Sequence, residues 1–307
     1  MLSKLAYYLL VLPISLLPLW ILYLFTDIFY LLLISIIPYR RAVVRENIKN
    51  SFPELNSRQH KSIERKFYRH FTDLLAEAVK NMTISKMQLK KRIHVLNRDS
   101  IDQLYIQGKN VIFVGGHYNN WEWIICAQNF LFAHQAVGIG MPMTNSFWDS
   151  KINQRRGRFG MKIVNAKNFK QTLVEQKSNP VSLLVLADQS PGDSLKSYWM
   201  KFLNQTTAVA FGAEQIAHEY NYSVVYLHMK KVRRGYYEVV FEPITDNPKL
   251  EEYGKITESH VASLENDITS EPAYWIWSHK RWKREIPPDL DKLRKEQYEK
   301  FKLKFRS

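Results

Sequence analysis

The sequence predicts an α/β protein in which an N-terminal membrane-anchoring helix precedes a mostly parallel central sheet flanked by helices. Three observations carry this prediction. Residues 5–38 are almost wholly apolar, with Asp27 the only formal charge. From residue 110 onward, short β-branched runs alternate with amphipathic segments, the pattern of a parallel sheet with helices on its faces. Two of those runs, 110–114 and 181–187, end at Gly115-Gly116-His117 and at Asp188-Gln189. Ligands of such sheets sit beyond the carboxyl ends of strands, so these two segments can line one crevice.

The elements follow in order. Residues 5–26 make 22 positions, enough for one helix to cross a hydrocarbon core of roughly 30 Å. Pro13 and Pro18 interrupt the run, so a helix that enters, kinks and continues along the interface also fits. The apolar stretch is too short for a two-helix hairpin and too long for a cleaved signal peptide. Lys4 alone precedes it, whereas Arg40, Arg41, Arg45 and Lys49 follow closely. The positive-inside rule then places everything after residue 40 in the cytoplasm.

Residues 56–82 read as an amphipathic helix, with Ile63, Phe67, Phe71, Leu74 and Ala78 at helical spacing, and 86–98 as a charged connection. Strands are expected at 110–114, 136–140, 162–164, 181–187, 223–229 and 237–241, the last two joined by the basic turn 230–235. Helices are expected at 121–132, 145–156, 169–176, 208–219, 251–269 and 290–305. This divides the chain into an anchor (1–40), an α/β body (41–285) and a basic C-terminal helix (286–307).

Composition narrows the function. An apolar fraction of 46% excludes a disordered chain. A single cysteine excludes intramolecular disulfides and Cys-rich metal sites. The net charge of +15 suits an anionic partner: lipid, an acidic carrier protein or nucleic acid. No zinc-finger spacing and no RNA-binding aromatic motif is present, so no nucleic-acid partner is expected.

The chemistry centres on His117. Asn119 reads as the N-cap of the next helix, with Glu122 at its third position, a variant of the capping box. A carboxylate there reaches back toward His117 and can hold the imidazole in one tautomer, leaving the other nitrogen to accept a proton. The same spacing also occurs as a plain cap. Competing nucleophiles are lacking: Cys126 falls within the helix, and there is no Gly-x-Ser-x-Gly elbow. Arg155, Arg156 and Arg158 form either a solvated helix end or an anion contact. Asp188-Gln189, just before Pro191-Gly192, is either a turn or a site wall. Trp275, Trp277 and Trp282 read as core or interfacial aromatics, and His279 as an ordinary hydrogen-bonded histidine.

Together, several segments resemble the bacterial lipid A biosynthesis acyltransferases. They are Arg45-Glu-Asn47 to Phe52-Pro53-Glu54, His117-x4-Glu122, Arg156-Gly-Arg158-Phe-Gly160, Asp188-Gln189 and Trp275-x-Trp277-Ser-His279-Lys-Arg281-Trp282. The His-x4-acid motif alone also marks the wider glycerolipid acyltransferases. The resemblance spans roughly residues 5–285 and departs at Phe202-Leu203-Asn204, where the family often has Phe-Phe-Gly. It implies an inner-membrane enzyme with a cytoplasmic site and a glycerolipid acyltransferase-like fold, for which no metal or organic cofactor is expected. It also implies transfer of a fatty acyl group from an acyl carrier protein or acyl-CoA thioester to a hydroxyl of a glycolipid, most often a lipid A precursor. Other acceptors in the family are phosphatidylinositol mannosides and aminolipids, and a non-catalytic lipid or carrier-protein binder is the remaining alternative. His117 and Glu122 are then the catalytic pair. Arg156, Arg158, Asp188 and Gln189 are the substrate-binding residues, the arginines meeting phosphate through their planar forks.

Overall fold

The computed structural model describes residues 2–140, 143–165, 169 and 179–306. Among these, seven strands form one sheet: β1 (Ile93–Val95), β2 (Val111–Gly115), β3 (Gln135–Gly140), β4 (Lys162–Asn165), β5 (Val181–Leu186), β8 (Ser223–Arg233) and β9 (Tyr236–Thr245). A separate hairpin joins β6 (Tyr198–Phe202) to β7 (Gln205–Val209). The sheet order is β1-β9-β8-β2-β5-β3-β4. Every neighbouring pair is parallel except β8 and β9. The mostly parallel α/β body expected from the alternating pattern is present.

β2 lies in the middle of the sheet and is buried along its whole length. Its side chains alternate between two cores, as the two-residue period of a strand requires. Ile112 and Val114 join one core with Val224, Ile256 and Leu264. Val111 and Phe113 join the other with Trp123, Ile124 and Val225. A strand covered on both faces has no polar alternation, which is why 111–114 reads as an unbroken apolar run.

The N-terminal segment is two helices. α1 (Leu2–Leu16) and α2 (Leu19–Ser35) are bent by 117° at Leu17-Pro18. Pro18 lacks an N–H and interrupts the helical ladder there. Among the described residues no single helix is long and apolar enough to cross a membrane, although the bent pair passes that test together.

α3 (Arg41–Ser51) and α4 (Ser57–Lys80) follow. α4 starts where the side chain of Asn56 accepts from the backbone N–H groups of Arg58 and Gln59, a full capping box with Gln59. The charged connection beyond it holds α5 (Lys86–Lys90) and β1, and α6 (Asp99–Ile106) precedes β2. Next come α7 (Trp121–Leu131) and α8 (Ser146–Gly157). The helix anticipated at 169–176 falls almost wholly outside the described residues.

The helix anticipated at 208–219 needs correction. Residues 205–209 belong to β7, and α9 (Gly212–Tyr220) begins three residues beyond it. β-branched Thr206, Thr207 and Val209 favour the strand, and Leu203 and Asn204 make its turn in the left-handed region. The basic turn 230–235 is likewise shorter than expected. β8 runs on to Arg233, leaving Arg234 and left-handed Gly235 as a two-residue hairpin loop. α10 (Lys255–Ser270) and α11 (Leu290–Phe305) complete the chain.

Candidate active site

His117 and Asp188 are brought together by the register of two neighbouring strands. Gly115 of β2 pairs with Leu186 of β5, and Ala187 N–H donates to the Gly115 carbonyl at 3.1 Å. Each chain leaves the sheet at the same edge, and His117 and Asp188 stand two residues beyond their paired partners. Gly116 makes the approach possible. A Cβ there would meet Leu264 Cδ1 at 2.7 Å and Asp188 Cγ at 3.4 Å, so a larger residue would have to push the Leu264 side chain aside; the position favours glycine for space and not for an unusual φ.

Asp188 is fully committed. Its Oδ1 accepts from His117 Nδ1 at 2.6 Å, and its Oδ2 accepts from the His117 backbone N–H at 2.9 Å. The indole N–H of Trp275 donates to the same Oδ2 at 2.8 Å. Trp275 is placed by a short antiparallel bridge to Tyr118 and by the Asn119 N–H, which donates to the Tyr274 carbonyl at 3.0 Å.

These contacts set the charges. Burial works against an ionised Asp188, but His117 and the donated hydrogen bonds outweigh it and hold the carboxyl at about 2. For His117, burial disfavours the imidazolium, yet the charge and hydrogen bond of Asp188 prevail and raise its pKa. The carboxylate fixes the proton on Nδ1, so Nε2 is the nitrogen left to work. The side-chain amide nitrogen of Gln189 lies 3.2 Å from that Nε2, where an N–H can donate to it. Trp121 packs edge-on against the ring at 4.9 Å between centroids.

The arrangement expected for Glu122 is corrected here. Asn119 is not the cap: its φ is +52° and its side chain donates to the Met229 carbonyl. Asn120 caps instead, accepting from the Trp123 N–H. Glu122 therefore sits one position nearer the helix start, a rotation of roughly 100° about the axis. Its carboxylate is taken by Arg155 and Arg156 of α8, the latter with Nη2 2.5 Å from Oε1. It still adds a smaller upward push on the His117 pKa, opposed by Arg156. Arg156 keeps part of its side chain exposed beside the site. Arg158 is not brought there: its two terminal nitrogens hold the carbonyls of Met82 and Ile84.

The far side of Asp188 carries residues that sequence reasoning left as background. His279 accepts from the Ser190 N–H at 3.1 Å through Nε2. Arg281 is buried, with one bond to Thr207 Oγ1 at 2.8 Å. Burial pushes its pKa down to about 10, against the pull of Asp188. Asn47 of α3 fixes this loop by donating to the carbonyls of Trp277 and His279.

Beneath His117 lies a small apolar recess lined by Trp121, Ile124, Leu184, Leu186, Leu227 and Met229. Two larger cavities, about 260 Å³ each, lie elsewhere: one beside Arg45, Lys49 and Lys61, the other under α11 at Tyr253 and Phe301. Among the described residues, no group of three or more His, Cys, Asp or Glu could hold a metal ion.

The fold and this site define an α/β protein with a histidine held by a buried carboxylate at the carboxyl edge of its sheet, a layout suited to acid–base chemistry. The model of the bacterial lipid A biosynthesis acyltransferases matches residues 2–284. A lipid A biosynthesis acyltransferase of Haemophilus influenzae is 22% identical over 281 residues, covering 81% of this chain and 84% of that protein. The chain belongs to the bacterial lipid A biosynthesis acyltransferase family, and it is an acyltransferase.

Proposed function

We propose that the protein transfers a fatty acyl group from an acyl carrier protein or acyl-CoA thioester to a hydroxyl of a lipid A precursor, at the cytoplasmic face of the inner membrane. His117 is the general base and Asp188 the carboxylate that orients it. The observation that carries this reading is the 2.6 Å contact between Asp188 Oδ1 and His117 Nδ1 at the sheet edge, in a chain of this family.

The acceptor hydroxyl takes the place of the Gln189 amide at Nε2. His117 accepts its proton as the oxygen attacks the thioester carbonyl carbon. The tetrahedral intermediate collapses with cleavage of the C–S bond, and the departing thiolate takes the proton back from Nε2. Products are an ester on the acceptor and a free thiol on the donor. Once displaced, the Gln189 amide is placed to donate to the oxygen that becomes negative during attack. Glu122 holds Arg156 beside the site, where its guanidinium meets a phosphate of the acceptor. Residues 1–40 act as the anchor, 41–285 as the catalytic body and 286–307 as a basic appendage.

Mass spectrometry of total lipids from cells with and without the gene tests this directly. The expected result is loss of one acyl chain from lipid A, restored by the wild-type gene and not by His117→Ala. Unchanged lipid A, with a different lipid losing the chain, assigns another acceptor. Full restoration by His117→Ala removes the histidine from the chemistry.

A further inference from the structure

We propose that the bent pair α1–α2 is a one-leaflet membrane face. It lies along the cytoplasmic surface of an anionic bilayer, clamped to the catalytic body, with both of its ends on the same side. This rests on the membrane reading above and decides between a crossing and an in-plane anchor.

The first support is a set of polar clamps that tie the pair to the body. At the bend, the ammonium of Lys80 donates to the Ser15 carbonyl at 3.1 Å and the Leu17 carbonyl at 2.9 Å. Thr83 Oγ1 donates to the Ser15 carbonyl as well. These carbonyls are freed because the ladder breaks at Pro18, and the body supplies their donors. Further along α2, the Tyr23 hydroxyl donates to Glu77 at 2.7 Å. Asp27 is paired by Arg69 at 3.0 Å and by Arg234. Lys80, Glu77 and Arg69 come from α4, and Arg234 from the β8–β9 turn. α2 therefore lies on the body along most of its length.

The second support is the face turned away. Leu9, Leu10, Leu16, Trp20, Phe25 and Ile28 are each more than half exposed, while Leu19, Leu22, Tyr23 and Leu33 face the body. The pair is apolar on every face, so its packed side joins the core while its open side, which carries an indole, is left for the interface between headgroups and acyl chains. The third support is charge. Exposed Lys4, Arg40 and Lys49 border the apolar segment in the chain, one before it and two after it, and cations flanking an apolar segment match anionic headgroups. A crossing would require α2 to leave α4, strip Asp27 of both arginines, and stretch 17 residues, about 25 Å of helix, over a core of roughly 30 Å.

The test places a polar Gly-Ser-Cys-Gly extension ahead of residue 1 and, in a second variant, Glu46→Cys, which is exposed on α3. The native Cys126 is buried, so the unmodified chain serves as the unlabelled control. Each full-length variant is exposed to a charged, membrane-impermeant maleimide in sealed spheroplasts and in inverted inner-membrane vesicles. Both cysteines should label only in inverted vesicles. Labelling of the extension from the outside, with Glu46→Cys labelled from the inside, means a crossing and overturns the proposal while leaving the membrane reading intact. Recovery of the protein in the soluble fraction defeats the membrane reading itself. Purified protein should also bind phosphatidylglycerol vesicles at least tenfold more tightly than phosphatidylcholine vesicles; equal binding contradicts the role of the bordering cations.

Discussion

Asp188 meets His117 twice, once at the ring and once at the backbone, with Oδ1 2.6 Å from Nδ1 and Oδ2 2.9 Å from the amide nitrogen. The double contact fixes both the tautomer and the position of the residue that carries it. Removing the carboxylate charge while keeping the shape therefore has a defined consequence. A general base works in its neutral form, so activity rises with pH through the His117 pKa, which Asp188 holds up. In Asp188→Asn the acid limb of the kcat/KM profile should move to lower pH, and kcat should fall even on the plateau. A pH–rate series checks this; an unmoved limb would mean that the ring does not feel this carboxylate.

Trp275→Phe separates position from charge. The indole donates to Asp188 Oδ2, and a hydrogen bond to a charged group contributes about 1.5–3 kcal/mol. Without it the Asp188 pKa rises from about 2 but the carboxyl stays ionised near neutrality. The expected outcome is about a tenfold loss in kcat, with the acid limb staying near its wild-type position. The same pH series reads both effects.

Glu122→Gln should act first on stability. Its carboxylate compensates Arg155, which is only 7% exposed, and Arg156. Breaking a buried pair typically costs 3–5 kcal/mol, and Glu122 is about one-fifth exposed, so the loss should be roughly 3 kcal/mol or less. Denaturant unfolding measures it. Wild-type stability would contradict the ion-pair role drawn for Glu122.

Glu77 is a second fully buried carboxylate, and it connects α2 to β9 and to the start of α7. It accepts from Tyr23, from Tyr237 at 2.7 Å and from Asn120, the cap of α7. Glu77→Leu strands three donors, each costing about 1–3 kcal/mol, and should lower unfolding stability by roughly 3 kcal/mol or more. Tyr23→Phe removes one partner and should cost about 1 kcal/mol. Equal losses in the two variants would show that the three contacts do not act through Glu77.

Much of this was legible in the sequence, for identifiable reasons. β2 is apolar because both faces are covered, and His117 follows its end, so the position of the histidine could be read. The pairing partner could not. Glu122 is five residues away and invited a local reading, whereas Asp188 is 71 residues away and is delivered by the β2–β5 register. The one usable signal was that both residues lie just beyond apolar runs of one sheet. Asn119 and Asn120 are both good caps in sequence, and only the tertiary bond from Asn119 to Met229 takes the first out of the helix. Arg158 looked like Arg156 in sequence, but its fork is used on the carbonyls of Met82 and Ile84. Trp275 read as a packing residue, and its indole N–H had no visible target until the loop folded over Asp188.

Turnover of purified Asp188→Asn beside Glu122→Gln, with an acyl carrier protein thioester and a lipid A precursor, decides the central point. Loss of orientation of a general base should cost Asp188→Asn roughly 100- to 10,000-fold, while Glu122→Gln stays within about tenfold of the wild type. The reverse order, with Asp188→Asn active and Glu122→Gln dead, would return the imidazole to Glu122 and contradict the assignment made here.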